Sequence, residues 1–260
     1  MTNEKGVTAG AASSVRPEFT GERVVIGRGD SWWRGEARDS EHMARYAFAL
    51  SRIPAGSSVI DVAYGTGYGS GMLAQAGHRV VGFDIDPATI DFARTQWPEA
   101  SFEVADATAL PRADASVDAV LSFETIEHLP DPSSFFGEVA GVVKSDGVFF
   151  VSTPDRPVYA LRSGPNDLHV AGMDRAEFAF VLERHFKVDC YGQTLFRSPS
   201  RLGRRIDRLR AWMRGRSSKA ALAQFSLQPL DERPWVFLVA VCRPLPTDQS
   251  TEPRREPPAR

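Results

Sequence analysis

The stretch Asp61-Val62-Ala63-Tyr64-Gly65-Thr66-Gly67-Tyr68-Gly69 narrows what this chain can fold into more than any other part of it. It follows an apolar run with strand character, Ser58 to Val62, and leads into a helical pattern through Met72 to Ala76 that Gly77 ends. A strand, a glycine turn and a helix in that order form the first unit of a doubly wound sheet. Backbone there passes tightly beneath a nucleotide-type ligand, and a side chain at Gly65 or Gly67 would block the approach. Nicotinamide and flavin proteins use a similar turn, but two details point elsewhere. Their pattern is G-x-G-x-x-G, whereas the final position here is Ser70. Asp61, at the end of the strand, would repel a pyrophosphate and attract an ammonium group.

Downstream, strand-like and helix-like segments alternate. Strands are expected at 79–83, 101–105, 117–122, 148–152, 187–191 and 235–241. Helices are expected after Asp86-Pro87, after Asp131-Pro132 and from Asp174 to about Glu183. With 58–62 this makes seven strands in an α/β fold, a mostly parallel sheet with helices on both faces. Residues 1–15 are small and polar and are predicted to be disordered, and 16–56 form an N-terminal helical cap. The core spans 57–243, with an irregular segment at 153–173 expected to fold over the site as a lid and a basic insert at 194–232. Residues 244–260, rich in Pro, Arg and Glu, are expected to be a loose tail.

Composition excludes several function classes. A length of 260 residues accommodates one elaborated α/β domain. The formal net charge of −2 gives no general attraction to nucleic acid. No apolar run approaches the roughly 20 residues that cross a bilayer, and Met1 to Pro17 carries no secretory core, so a cytoplasmic protein is expected. Cys190 and Cys242 are too few for a disulfide framework or a thiolate metal site, and both sit in apolar strand contexts.

Two further acids stand at strand ends. Asp84 can accept the ribose hydroxyls of an adenosine. Asp106 can hold an adenine amino group, with the Ala107 amide facing a ring nitrogen. Together with the Asp61 turn, these residues resemble the class I S-adenosylmethionine-dependent methyltransferases, over most of residues 20–192. One branch is most similar. It shares Glu22-Arg23, Glu41-His42 and Arg45-Tyr46, the block Ser122-Phe123-Glu124-Thr125-Ile126-Glu127-His128, Ser152-Thr153-Pro154, and Asn166-Asp167-Leu168-His169. This chain departs from that pattern at Tyr64, where members carry Cys. The resemblance implies a Rossmann-like sheet with an antiparallel last strand and S-adenosylmethionine as cofactor. It also implies cofactor contacts from Ala63, Ile85 and Phe123, and a pairing of Arg45 with the methionine carboxylate. Within the superfamily the combination is similar to the sugar O-methyltransferases of bacterial antibiotic pathways, including those acting on TDP-rhamnose in calicheamicin biosynthesis.

Methyl transfer to a hydroxyl needs an in-line nucleophile and a base. His128, Glu124 and His169 are the catalytic candidates. His128 is read either as the general base or as a helix cap or a hydrogen-bond partner of the cofactor. Asp155, Glu124 and His128 could alternatively hold a divalent ion such as Mg2+ that acidifies the hydroxyl. His42 could face the cleft, while His78 and His185 look structural. Enzymes that methylate adenine or glutamine nitrogens carry an Asn/Asp-Pro-Pro-aromatic turn where this chain has Ser122-Phe123-Glu124-Thr125, which argues against those acceptors. The expected acceptor is a deoxysugar hydroxyl on a nucleotide sugar or a glycoside. The rivals are an aminosugar nitrogen and a cofactor-binding partner subunit without turnover. Arg201 to Arg216 reads as a solvated amphipathic helix or as a clamp for an anionic handle, and Trp32-Trp33 as lid packing or a stacking surface. No nucleic acid or membrane partner is expected, and a homo-oligomer is.

Overall fold

The computed structural model describes residues 37–164, 166–194 and 227–246. Glu22-Arg23, Trp32-Trp33, most of the basic insert including Arg201 to Arg216, and the tail from 247 onward lie outside the described residues. Of the helical cap, α1 (Ala37–Leu50) is described. It is followed by β1 (Ser58–Val62), α2 (Tyr68–Gln75), β2 (Arg79–Asp84), α3 (Pro87–Gln96), β3 (Ser101–Val104) and β4 (Val117–Phe123). A single helical turn at Ile126–His128 leads to α4 (Pro132–Val142) and β5 (Val143–Pro154). The chain ends with α5 (Arg156–Ser163), α6 (Arg175–Glu183), β6 (Phe186–Gln193), β7 (Gln228–Pro229) and β8 (Phe237–Pro244).

The strands form one sheet in the order β3-β2-β1-β4-β5-β8-β6-β7. β1 pairs in parallel with β2 and with β4, which puts the order reversal, and hence a crevice, at the carboxyl end of β1. β8 runs antiparallel to both β5 and β6. The sheet therefore has eight strands where seven are expected. The extra one is the two-residue β7, which pairs antiparallel with β6 through Tyr191–Pro229 and Gly192–Gln228.

Strand alternation divides the core between the two faces. Ile60, Val62, Val120, Phe149 and Val151 point to one side, against Phe135, Phe136 and Val139 of α4 and Phe178 and Leu182 of α6. Val59, Ala119, Leu121 and Phe150 point to the other, against Met43 and Tyr46 of α1, Leu73 of α2, and Ile90 of α3 with Trp97 just beyond it. Among the described residues, no helix is long and apolar enough to cross a membrane.

Local chemistry sets the helix starts. Asp86 accepts from the Ala88 amide and Asp131 from those of Ser133 and Ser134, each just before a proline at a first helical position. Asp174 and Glu177 form a reciprocal capping box. Gly77, with φ 93°, follows the end of α2 as a left-handed residue.

Three expectations need correction. β5 begins at Val143, five residues early, and runs through Asp146-Gly147 with a register shift opposite Val117 and Ala119 instead of turning there. The irregular lid segment contains α5 and begins only after β5 has ended at Pro154. Pro244 is the last residue of β8, opposite Phe186, so the tail starts later than residue 244. Both cysteines lie on strands as expected, with free thiols: Cys242 is buried and Cys190 half-buried.

α1 lies on α2 with almost no clearance. A Cβ at Gly69 would enter the Tyr46 ring. Gly69→Ala is expected to destabilise the protein by about 1–3 kcal/mol through overpacking, measured by urea denaturation. A wild-type midpoint would contradict this packing.

Candidate active site

A cleft of about 1010 Å³ opens at the carboxyl ends of β1, β2 and β4. Its wall includes Ala63, Gly65, Asp84, Ile85, Asp106, Ala107, Phe123, Glu124 and His128, so nine of the residues expected from sequence come together. His42 also lines it, as do Tyr46, Asp131, Ser134 and Leu168. Asp61, Gly67, Arg45 and His169 are absent from the lining.

Gly65 and Gly67 hold φ of 61° and 79°, and Ala63 shares the left-handed region at 54°. A Cβ on Gly67 would lie 2.9 Å from that of Ala93 and 3.1 Å from the Phe102 ring, so the turn needs glycine for clearance as well as for conformation. Beneath it the Asp61 carboxylate is fully buried. It accepts from the Tyr46 hydroxyl at 3.0 Å and from Ser70 Oγ at 2.6 Å. Burial pushes its pKa up to about 7, against the lowering effect of those two donors, and the Asp84 charge adds to the rise. The carboxylate braces the turn from below through these two hydrogen bonds.

Tyr64 packs its ring on Phe102 at a centroid distance of 4.9 Å and lies over Gly82, where a Cβ would come 2.7 Å from its ring. The large residue at this position thus depends on glycine in the neighbouring strand. At the ribose end, Asp84 is buried and accepts from the Asp86 amide at 3.0 Å. Asp106 is exposed, and the backbone and hydroxyl donors of Thr108 hold its pKa below the usual range. Ile85 is 70% exposed beside them, an apolar platform in the cleft wall.

The other end is built around Glu124. Its φ of 57° is costly for a residue with a side chain and turns the carboxylate back from the end of β4. Oε1 accepts from Ser152 Oγ at 2.7 Å and lies 3.3 Å from Nη1 of Arg45. Arg45 is fully buried and forms an internal ion pair with Glu124. Its Nε donates to Gln193 at 2.8 Å, Gln193 Nε2 in turn donates to the Glu41 carbonyl at 3.1 Å, and the guanidinium stacks on Phe237 at 4.4 Å. Neither Nη has a hydrogen-bond acceptor. Gln193 was not foreseen, and a contact spanning 148 positions leaves no local sequence signal.

Glu127 is buried and accepts from Thr153 at 3.2 Å. Burial first, and then the Glu124 charge, pushes its pKa well above the ordinary range, against the lowering effect of Thr153 and Arg45. His128 presents Nδ1 to the Leu168 carbonyl at 3.0 Å, and its ring meets His169 edge-on at 5.2 Å. Ligating atoms of Glu127, His128 and His169 lie within 4.8 Å of one another. Asp155 does not join Glu124 and His128, as the expected metal set required. Its side chain is buried 3.8 Å from Arg175, and its backbone caps α5.

A model of a methyltransferase domain family matches residues 60–151. The chain is 36% identical over 169 residues to a probable S-adenosylmethionine-dependent methyltransferase of Mycolicibacterium smegmatis, covering 64% of this chain and 63% of that protein. It is 31% identical over 196 residues to another protein so described from Mycobacterium tuberculosis, covering 74% of this chain and 69% of the relative. A TehB-like SAM-dependent methyltransferase from Corynebacterium glutamicum superposes with a TM-score of 0.54 at 19% identity, over 78% of this chain and 88% of that one, a likeness of fold.

A raised glutamate pKa means that the native state keeps a proton the unfolded chain has lost. Stability from this group is therefore complete below the ordinary glutamate pKa and falls as pH rises above it. Glu127→Gln, neutral at every pH, is expected to raise the melting temperature relative to wild type by about 3 °C or more at pH 8 and by less at pH 5. Equal shifts at the two pH values in a thermal melt would contradict a neutral buried Glu127.

Proposed function

Since this chain belongs to the S-adenosylmethionine-dependent methyltransferases, we propose that it methylates a hydroxyl group of a deoxysugar, with His128 as the base. The observation that carries the reading is that His128 lines the same cleft as Asp84 and Asp106, with Nδ1 already engaged by the Leu168 carbonyl. A carbonyl oxygen can only accept, so Nδ1 bears the proton and the neutral ring keeps its lone pair on Nε2.

The residues present fit the cofactor: a turn that a Cβ at Gly67 would obstruct, a carboxylate at the end of β2 and an apolar platform beside it. Asp84 would take the ribose hydroxyls, Asp106 and the Ala107 amide the adenine edge, and Ala63, Gly65 and Phe123 would border the methionine portion. When bound, S-adenosylmethionine supplies a sulfonium methyl group open to direct displacement. His128 accepts the proton of the sugar hydroxyl as its oxygen forms the new bond to the methyl carbon. In such a displacement the C–S electron pair would leave with sulfur, and His128 would hold the proton taken from the hydroxyl. Glu124, with Oε1 anchored by Ser152 and Arg45, is set to orient the acceptor through its other oxygen.

The described lining contains the carboxylates of Asp84, Asp106, Glu124 and Asp131 and no Lys or Arg. A TDP-sugar such as TDP-rhamnose would need cations from outside this set. An already formed glycoside needs none. The same carboxylates favour a second reading, N-methylation of an aminosugar, since they would attract its ammonium form. The cluster of Glu127, His128 and His169 has a spacing that suits a divalent ion. The EDTA arm of the assay below separates a metal at this cluster from base catalysis without one.

Methyl transfer from isotope-labelled S-adenosylmethionine should be measured against TDP-deoxyhexoses, their glycosides and aminosugars, with and without EDTA. The expected result is label on a sugar oxygen, unaffected by EDTA, with kcat lowered about 10²–10⁴-fold in His128→Gln. Label on nitrogen with little effect of that substitution would establish the amine reading. Label on no sugar would overturn both.

A further inference from the structure

We infer that the Asn166–His169 turn holds His128 in the tautomer that leaves Nε2 basic, which makes Asn166 a positioning residue for methyl transfer. The inference rests on the base reading for its effect on rate, but not for the tautomer itself. A free neutral imidazole in water favours the proton on Nε2, which leaves the basic lone pair on Nδ1, the nitrogen that the Leu168 carbonyl occupies here. The Leu168 carbonyl, 3.0 Å from Nδ1, reverses that preference.

The carbonyl can do this only if it is held still. The Leu168 amide donates to Asn166 Oδ1 at 3.0 Å, and the His169 amide donates to the Asn166 carbonyl at 3.1 Å. One asparagine therefore fixes the peptides on both sides of the Leu168 carbonyl, with its side chain and its main chain. The segment is also tied to the turn that bears His128. The Ala171 amide donates to the Glu127 carbonyl at 2.9 Å, and the His128 amide donates to the Thr125 carbonyl at 3.0 Å. Among the described residues, the Glu127 carboxyl and the His169 ring lie beside the His128 ring, and His169 in turn packs on Tyr159 of α5 at 5.4 Å. Asn166 is not among the residues that line the cleft, so its influence on the reaction runs through Leu168 and His128. Catalysis is sensitive to such orientation, because a base held in the wrong tautomer loses most of its effect.

The test is imidazole 15N NMR of the full-length protein at alkaline pH, with the His128 signals assigned by His128→Gln, alongside steady-state kinetics. The wild type is expected to show His128 with a proton on Nδ1 and a bare Nε2. Asn166→Ala should shift it toward Nε2–H and lower kcat on the order of 10-fold or more, with S-adenosylhomocysteine affinity unchanged by calorimetry. Asn166→Asp keeps an acceptor for the Leu168 amide and should restore both tautomer and rate. An Nε2–H wild type, or an unchanged tautomer in Asn166→Ala, would overturn the inference. Wild-type turnover in His128→Gln would instead overturn the base reading, and the tautomer would still be decided by the NMR result.

Discussion

The Asp61 carboxylate, buried beneath the glycine turn, ties together the three elements that make the cofactor end of the cleft. It belongs to β1, takes one hydrogen bond from Tyr46 of α1 and another from Ser70 of α2, and sits directly below the backbone that must stay clear of side chains. Burying a carboxylate is costly, and the rise of its pKa to about 7 measures that cost. Two short donors keep the cost tolerable and, in doing so, fix the height of α1 above α2. The same Tyr46 ring leaves Gly69 no room for a side chain and meets Phe123 edge-on at 5.0 Å, which links the turn after β1 to the end of β4.

A second polar network supports the opposite end by the same logic. Arg45 is one position before Tyr46, so a single turn of α1 braces both ends of the cleft. Its buried guanidinium offsets the charge of Glu124, engages Gln193 at the end of β6 and rests on Phe237 of β8. Burial, and after it the Glu124 charge, favours the protonated form of Glu127. Preorganisation of this kind places the strain, the left-handed Glu124, where charge and acceptor must meet.

Much of this was legible in the sequence because it is local. The glycine turn, the acids at strand ends, and the Asp86, Asp131 and Asp174 caps each declare themselves within a few residues. What escaped has identifiable causes. Helix α5 buries none of its residues, so no apolar stripe announces it, although Asp155 followed by Pro157 marks its start. Asp146-Gly147 reads as a turn. Gly147 is instead packed where a Cβ would meet the Asp118 carbonyl at 2.9 Å, and the strand continues past it. Strand β7 is two residues long and has no period to detect. The partners of Arg45 escaped because Gln193 and Glu124 reach it from far along the chain.

The proposed reaction requires the adenosine to lie at Asp84 and Asp106, with the reacting end beneath Glu124 and His128. A crystal structure with S-adenosylhomocysteine tests it most directly. The expected result is ribose hydroxyls on the Asp84 carboxylate, the adenine against Ile85 and the thioether sulfur on the side of Phe123 and His128. A ligand bound in the reverse direction, or outside this cleft, would contradict it.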